Sequence, residues 1–319
     1  MVLTSRTETS DSRRRLWLFV RLAVTVAAFA WLLSIIELGE LLAAFTRVSF
    51  LAGCTTIALF FLGVVLAAVR WREVLAAYGA SSPPSVGRLL RLHLVGVFYN
   101  TFLPGAVGGE VVRGVATRDA FETGGATSSI TVVLLERASG LAGVLVVATV
   151  AFLVHPLPGV SGAMFWGPAG LLAAVGAMGT VAIGRRAARF VPPPLDRFAA
   201  SLPELRSLRP FTLVILLSIA IQVLTAVGAH ALVRSIAPQV ELTDSLVVIP
   251  LAAAAAYFPL TVAGMGAREA VFVVLYRTVG VPEADALAGS LGFLFCQLTV
   301  AASGGFLNLL YPLSERRSS

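Results

Sequence analysis

The amino-acid sequence predicts an all-α polytopic membrane protein, with about six full transmembrane helices and two oppositely oriented re-entrant helical hairpins in an inverted-repeat layout. Three observations predict this fold: an apolar composition, apolar runs long enough to cross a bilayer, and arginines concentrated in alternate loops. Of the 319 residues, 57% are hydrophobic and 13% are charged, and the mean hydropathy is +0.89. A soluble domain carries about 25% charged residues. A surface this poor in charge suits lipid, where apolar side chains face the acyl tails.

Six apolar runs reach the roughly 20 residues that a transmembrane helix needs. They lie near residues 16–36, 49–69, 127–154, 163–184, 211–234 and 284–310. The first run is longer than the apolar core of a signal peptide, so we expect a retained anchor. We predict a disordered cytoplasmic tail at 1–12, one membrane domain at 13–311 with halves near 13–155 and 163–311, and a cytoplasmic tail at 312–319.

The placement of arginine predicts the orientation of these runs. The chain has 24 basic residues, all arginine, and a formal net charge of +7. Basic residues are enriched in cytoplasmic loops. The segments rich in arginine are 6–15, 70–91, 113–118, 185–209 and 316–317, whereas the alternate loops hold very few arginines, such as Arg47 and Arg234. We therefore expect both termini to be cytoplasmic, in a multi-pass protein of the cell (inner) membrane, and we do not interpret the basic charge as a nucleic-acid signal.

Two further apolar stretches, 93–115 and 246–279, are interrupted by proline and glycine. Pro104 with the following glycines breaks the first stretch, and Pro259 with Gly264 and Gly266 breaks the second. The arginine pattern predicts that the first stretch enters and leaves the membrane on the cytoplasmic side, and that the second stretch does so on the opposite side. Pro104 and Pro259 are 155 residues apart, and the flanking runs also oppose one another. This is the layout of an inverted-topology repeat, which in transporters places the substrate site where the broken helices meet.

Charged and small residues beside the two breaks are the candidate substrate-binding residues. The helices predicted to restart at Glu110 and Ala267 would direct free N–H groups to the centre, where they favour anions. Charges inside a membrane are costly and usually pair or serve function, and an arginine with spare donors can bind a phosphate. The candidates are Asn100, Gly108, Gly109, Glu110, Arg113, Glu136, Arg137, Gly264, Gly266, Arg268 and Glu269.

Structural alternatives remain open for several of these residues. The breaks could be kinks, and the charges could be ion pairs that only hold helices together. Asn100 could cap exposed backbone as readily as it could bind a headgroup. Arg137 could extend to the membrane interface.

No motif indicates a cofactor, a metal site or ATP-driven transport. Cys54 and Cys296 lie in separate apolar runs, and the three histidines share no ligand spacing. No Walker A or H-E-x-x-H pattern occurs. The four residues from Gly159 to Gly162 match the G-x-S-G of rhomboid proteases, but a match this short in a Pro-rich loop does not favour a protease.

Three segments, GVFYNTFLPGAVGGEVVRG, LLERASGL and FPLTVAGMGAREAVFVVLYRTVGV, resemble the lysylphosphatidylglycerol synthase transmembrane region, a flippase-like membrane family. Their order and spacing also match, over nearly the whole chain. The resemblance implies handling of phospholipid or polyprenyl-linked lipids. Bifunctional members add a soluble aminoacyl-transferase domain after the membrane region. This sequence ends at Ser319, soon after the last apolar run, so aminoacyl transfer is not expected.

The leading hypothesis is a translocator of an anionic phospholipid or a polyprenyl-phosphate-linked lipid, without enzymatic activity. Two alternatives remain: a non-catalytic membrane partner of a glycosyl- or aminoacyl-transferase, and an enzyme that modifies a lipid at the membrane face. The partner would be a membrane lipid for a translocator, and a glycosyl- or aminoacyl-transferase for the non-catalytic alternative.

Overall fold

The computed structural model describes residues 36–102, 108–121, 125–160, 209–257 and 266–312, together with scattered helical residues between 19 and 35. Within these ranges the chain forms helices, turns and loops and no strand. The predicted fourth apolar run, near 163–184, the arginine-rich segment that follows it and both terminal tails lie outside the described residues.

Nine α-helices are defined in the described ranges. They are α1 Leu38–Arg47, α2 Phe50–Ala77, α3 Val86–Phe102, α4 Gly108–Ala116, α5 Gly125–Val154, α6 Arg209–Ile236, α7 Leu242–Tyr257, α8 Ala267–Thr278 and α9 Glu283–Leu310. A short 3-10 helix, Arg118–Ala120, lies between α4 and α5. The helical residues between 19 and 35 fall in the first predicted run.

Four of the described helices, α2, α5, α6 and α9, are long and apolar enough to cross a membrane. They correspond to four of the six predicted apolar runs. Their surfaces expose large apolar side chains, including Phe50 at 87%, Leu309 at 80% and Val154 at 76%. Exposure of so much apolar surface to water is unfavourable, whereas the acyl chains of a bilayer accommodate it. The helical, multi-pass membrane class predicted from composition is therefore confirmed.

One prediction about α2 is wrong. The second apolar run was expected to end at residue 69, with Arg70 and Arg72 in a loop. The helix continues to Ala77, and Arg70, Trp71, Val74 and Leu75 are buried within it. These residues recur at helical spacing, so they extend the inward face of the helix beyond its most apolar part.

Side-chain contacts between helix termini fall into two groups, one at each end of the long helices. At one end, Arg47 binds Asp285 and the carbonyl of Ile236, and His155 binds Asp244. At the other, Arg88 donates to the carbonyl of Ala116 at 3.2 Å, and Arg91 donates to the carbonyl of Tyr311. We call these the Arg47 end and the Arg91 end.

The interrupted stretches form two antiparallel helix pairs. The pair α3–α4 has both of its outer ends at the Arg91 end, as the contact between Arg88 and Ala116 shows. The pair α7–α8 has its outer ends at the Arg47 end, because Ser245 in the first turn of α7 lies 2.8 Å from the Tyr276 hydroxyl near the end of α8. The turns between the two helices of each pair, 103–107 and 258–265, lie outside the described residues.

Small residues allow the long helices to approach closely. A Cβ atom added at Gly304 of α9 would lie 2.1 Å from the carbonyl oxygen of Leu94 in α3. A Cβ at Gly143 of α5 would lie 2.8 Å from Ser218 of α6. Thr56 of α2 donates to the carbonyl of Gly228 in α6 at 2.7 Å. Helices of membrane proteins commonly pack through such small residues.

Candidate functional site

The helices α3 and α4 meet backbone to backbone beside the first break. A Cβ at Gly109 would lie 2.1 Å from the carbonyl oxygen of Gly96, so only glycine fits there. The Gly109 N–H donates to Oδ1 of Asn100 at 2.9 Å, and the Asn100 amide donates to Oε1 of Glu110 at 2.7 Å. Asn100 therefore caps the start of α4, the structural role considered for it from sequence. The helix restarts at Gly108, two residues before the predicted Glu110.

Two acid–base pairs join α4 to α5. Glu110 and Arg113, one turn apart on α4, face the consecutive residues Glu136 and Arg137 of α5. Arg113 donates to Oε2 of Glu136 at 3.0 Å, and Arg137 pairs with Oε1 of Glu110. Glu136 is 1% exposed, whereas the Arg137 side chain is 43% exposed. Four candidate residues named from the sequence are thus brought together as two reciprocal ion pairs.

Arg70 of α2 completes this site, and the sequence reasoning missed it as a site residue. Its Nε donates to Oε1 of Glu136 at 3.1 Å, its Nη2 binds the same oxygen, and its Nη1 donates to the Ser218 hydroxyl of α6 at 3.0 Å. The signal was available in the apolar residues after Arg70, which continue the helix at i+1, i+4 and i+5. We call Arg70, Asn100, Glu110, Arg113, Glu136 and Arg137 the first charge cluster.

The first charge cluster holds three arginines and two glutamates, an excess of one positive charge among the described residues. Arg113 is also held from a second side, since its guanidinium carbon lies 4.1 Å from the centre of the Trp71 ring. Such a cation–π contact is favourable when both groups are desolvated. The cluster is therefore built from α2, α3, α4 and α5. Its buried members, Arg70, Arg113, Glu110 and Glu136, balance in charge, and the excess positive charge belongs to the partly exposed Arg137.

Two atoms of this cluster are buried without a hydrogen-bond partner among the described residues. They are Nε of Arg113, which donates, and Oε2 of Glu110, which accepts. Nδ1 of His93, on α3, is buried and unpartnered as well. Because a buried polar group without a partner is costly, the unused donor and acceptor mark where another polar group would be stabilised.

A second charge cluster lies at the start of α8. Gly266, at φ +88°, donates its N–H to Oε2 of Glu269 at 2.6 Å. Arg268 donates through Nε to Oε1 of Glu269 at 3.1 Å and through Nη1 to Oε1 of Gln297 in α9 at 2.6 Å. Arg268 and Glu269 are 8% and 0% exposed. The predicted helix start at Ala267 is confirmed.

Within the described residues, no hydrogen bond or ion pair joins the two clusters. Gln297, like Arg70, was not named from the sequence as a site residue; it lies mid-helix in α9, where a single polar residue gives no spacing signal. Gly264, Pro104 and Pro259 lie outside the described residues, and so do the contacts of Gly108. A common site where the two breaks meet thus stays a prediction.

The histidines lie in hydrogen-bonded pairs or alone rather than in a metal centre. His155 binds Asp244 at 2.9 Å, and His230 binds the Ser245 hydroxyl at 2.9 Å. Among the residues that the structure describes, no group of three or more His, Cys, Asp and Glu side chains is arranged to hold a metal ion.

Comparison with known proteins supports the resemblance noted in the sequence. No curated protein matches the chain. The family model of the lysylphosphatidylglycerol synthase TM region matches residues 18–304. This range contains both charge clusters and all nine described α-helices, except for the last six residues of α9. The chain therefore belongs to the lysylphosphatidylglycerol synthase transmembrane-region family.

Proposed function

We propose that the protein is a lipid translocator that moves an anionic phospholipid or a polyprenyl-phosphate-linked lipid between the leaflets of the cell membrane. The observation that carries this proposal is the first charge cluster, which has one more arginine than glutamate beside an interrupted helix and whose third arginine, Arg137, is partly exposed. The proposal does not include catalysis, and the substrate-binding roles of the candidate residues belong to it.

The charge of the cluster favours an anionic ligand. Charged groups inside a membrane are costly and usually pair with an opposite charge. The first charge cluster has one more positive than negative group, and that group, Arg137, is accessible. A headgroup phosphate supplies that counter-charge, and a guanidinium binds it with parallel hydrogen bonds. Arg113 is the best placed, because its Nε has no partner in the described part of the chain.

The free acceptor on Glu110 adds a requirement for a donor. Its Oε2 atom is buried and unpartnered among the described residues, while the phosphodiester of a lipid headgroup has no proton to donate at neutral pH. A headgroup that carries a hydroxyl beside its phosphate, such as glycerol phosphate or a sugar phosphate, would satisfy both Arg113 and Glu110. This combination supports the two lipid classes in the proposal.

The proposed mechanism uses the two antiparallel helix pairs as opposed re-entrant hairpins in an inverted repeat. Their outer ends lie at opposite ends of the molecule, which supports that layout. The Arg91 end and both termini would face the cytoplasm, following the arginine pattern. Each hairpin would then expose the site to one leaflet in turn, and movement would be downhill or coupled to ions.

Reconstitution into liposomes tests the proposal. Purified protein is mixed with acyl-chain-labelled phosphatidylglycerol, with labelled phosphatidylcholine, or with a polyprenyl phosphate, and the lipid that reaches the outer leaflet is measured by chemical quenching. We expect movement of an anionic lipid and its loss in Arg113→Glu and Arg268→Glu. The matched control Arg72→Glu changes an arginine whose side chain is 44% exposed and should retain movement.

Other outcomes point to other functions. If none of the anionic lipids moves with well-folded protein, translocation by this chain is refuted. Copurification with a glycosyl- or aminoacyl-transferase without lipid movement would favour the non-catalytic partner. A covalently altered lipid would favour an enzyme.

A further inference from the structure

A shallow groove of about 330 Å³ lies between α2 and α6, away from both charge clusters. Its lining comes from the first turns of α2, including Leu51, Ala52 and Thr55, and from the last turns of α6, including Ala231 and Arg234. The groove is therefore at the Arg47 end of the two helices. Its lining is mainly apolar, with one arginine.

Two hydrogen bonds between α2 and α6 bracket the groove along the helices. Thr56 donates to the Gly228 carbonyl at 2.7 Å, and the Ser49 N–H donates to the Ser235 hydroxyl at 3.2 Å. Ala52 lies between Ser49 and Thr56 in sequence, and Ala231 lies between Gly228 and Ser235. The two hydrogen bonds thus hold the helices together above and below Ala52 and Ala231. The small side chains of these two residues leave the space that forms the groove.

Arg234 is the cationic residue of the groove, and it has no ion pair or side-chain hydrogen bond in the described part of the chain. Two other arginines at this end are paired, Arg47 with Asp285 and Arg277 with Glu283. Arg234 is exposed and lies in the last turn of α6. Its charge is therefore available to a ligand.

We infer that this groove binds one phospholipid with an anionic headgroup, with the phosphate on Arg234 and an acyl chain along the apolar lining. Arg234 lies where a helix of this length reaches the membrane interface, which is the depth of a headgroup. Leu51 is 73% exposed and the adjacent Phe50 is 87% exposed, so the apolar surface continues beyond the groove. A free anion would use the charge but not this surface. The inference concerns binding alone and stands apart from translocation.

Native mass spectrometry of the detergent-solubilised full chain with phosphatidylglycerol tests the inference. We expect one lipid that survives gentle activation, and about tenfold weaker binding in Arg234→Gln, since a charge-assisted hydrogen bond contributes that much. Ala231→Leu, which keeps the charge and fills the groove, should weaken binding similarly. Arg277→Gln, an arginine at the same end whose side chain is 71% exposed, should bind as the unchanged protein does.

Three results would overturn the inference. Equal binding by Arg234→Gln and the unchanged protein would remove the arginine from the site. Equal weakening in Arg234→Gln and Arg277→Gln would show a general attraction between basic residues and anionic lipid. Competition by inorganic phosphate at the same concentration as the lipid would assign the site to a free anion.

Discussion

Arg70 donates two hydrogen bonds to a single carboxylate oxygen of Glu136, a residue 66 positions further along the chain, and Arg113 occupies the other oxygen. One buried glutamate therefore holds two arginines from α2 and α4. This arrangement makes Glu136 the residue on which the first charge cluster depends.

Glu136→Gln should destabilise the protein by about 3–5 kcal/mol, because it leaves two buried arginines without their counter-charge. The thermal unfolding midpoint of the detergent-solubilised protein measures this loss. Glu73→Gln is the matched control, since Glu73 is partly exposed and lies 3.9 Å from Arg72; it should change the midpoint little. An unchanged midpoint in Glu136→Gln would contradict the role given to this residue.

Gly109→Ala should disrupt the pairing of α3 with α4. The added Cβ would lie 2.1 Å from the Gly96 carbonyl oxygen and 2.6 Å from Oδ1 of Asn100, and overpacking of this kind costs about 1–3 kcal/mol or more. Gly87→Ala on α3 is the control, with nothing within 4 Å of its added Cβ. Thermal unfolding compares the two, and equal midpoints would show that the approach of the helices is looser than described.

Gly304→Ala should separate α9 from α3, because its Cβ would meet the Leu94 carbonyl oxygen at 2.1 Å. Backbone atoms cannot rotate away as a side chain can, so the helices themselves must move. Gly53→Ala, also inside a long helix but with open space around its Cβ, should be neutral or stabilising by up to about 1 kcal/mol. The thermal unfolding midpoint of the detergent-solubilised protein compares the two variants, and equal midpoints would contradict the close approach of α9 and α3.

Exchanging the charges of Arg47 and Asp285 tests the contact at the Arg47 end. Each single change, Arg47→Asp or Asp285→Arg, places like charges together and should lower the unfolding midpoint. The double change should recover part of the loss, with a coupling of about 1 kcal/mol, since the Arg47 side chain is 49% exposed and solvent weakens the pair. Additive effects of the two single changes would exclude a direct interaction.

The sequence was sufficient to predict the helical membrane class and four of the long helices, because each depends on a run of apolar residues. It also located the start of α8, since Gly264 and Gly266 interrupt the apolar stretch immediately before that helix. The charges of Glu110, Arg113, Glu136 and Arg137 within apolar stretches identified these residues as candidates, whereas their pairing with one another was not predicted. These features are local or depend on simple topology.

The partners of Glu136 could not be predicted in the same way. The sequence assigns Arg70 to a loop, because hydropathy falls at the end of the apolar run, whereas the helix continues for seven more residues. Ser218 and Gln297 contact arginines only because of how helices rotate about their axes and cross. Such contacts depend on helix packing, which the pattern of a single helix does not specify.

The two cysteines differ in accessibility, since Cys54 is exposed on α2 and Cys296 is buried, with its thiol 3.8 Å from the Gly53 carbonyl oxygen. Cys54 immediately precedes Thr55, which lines the groove of α2 and α6. A membrane-permeant thiol-reactive fluorophore should therefore label the native chain at Cys54 first. Its emission would report on lipid entering or leaving that groove without any engineered cysteine.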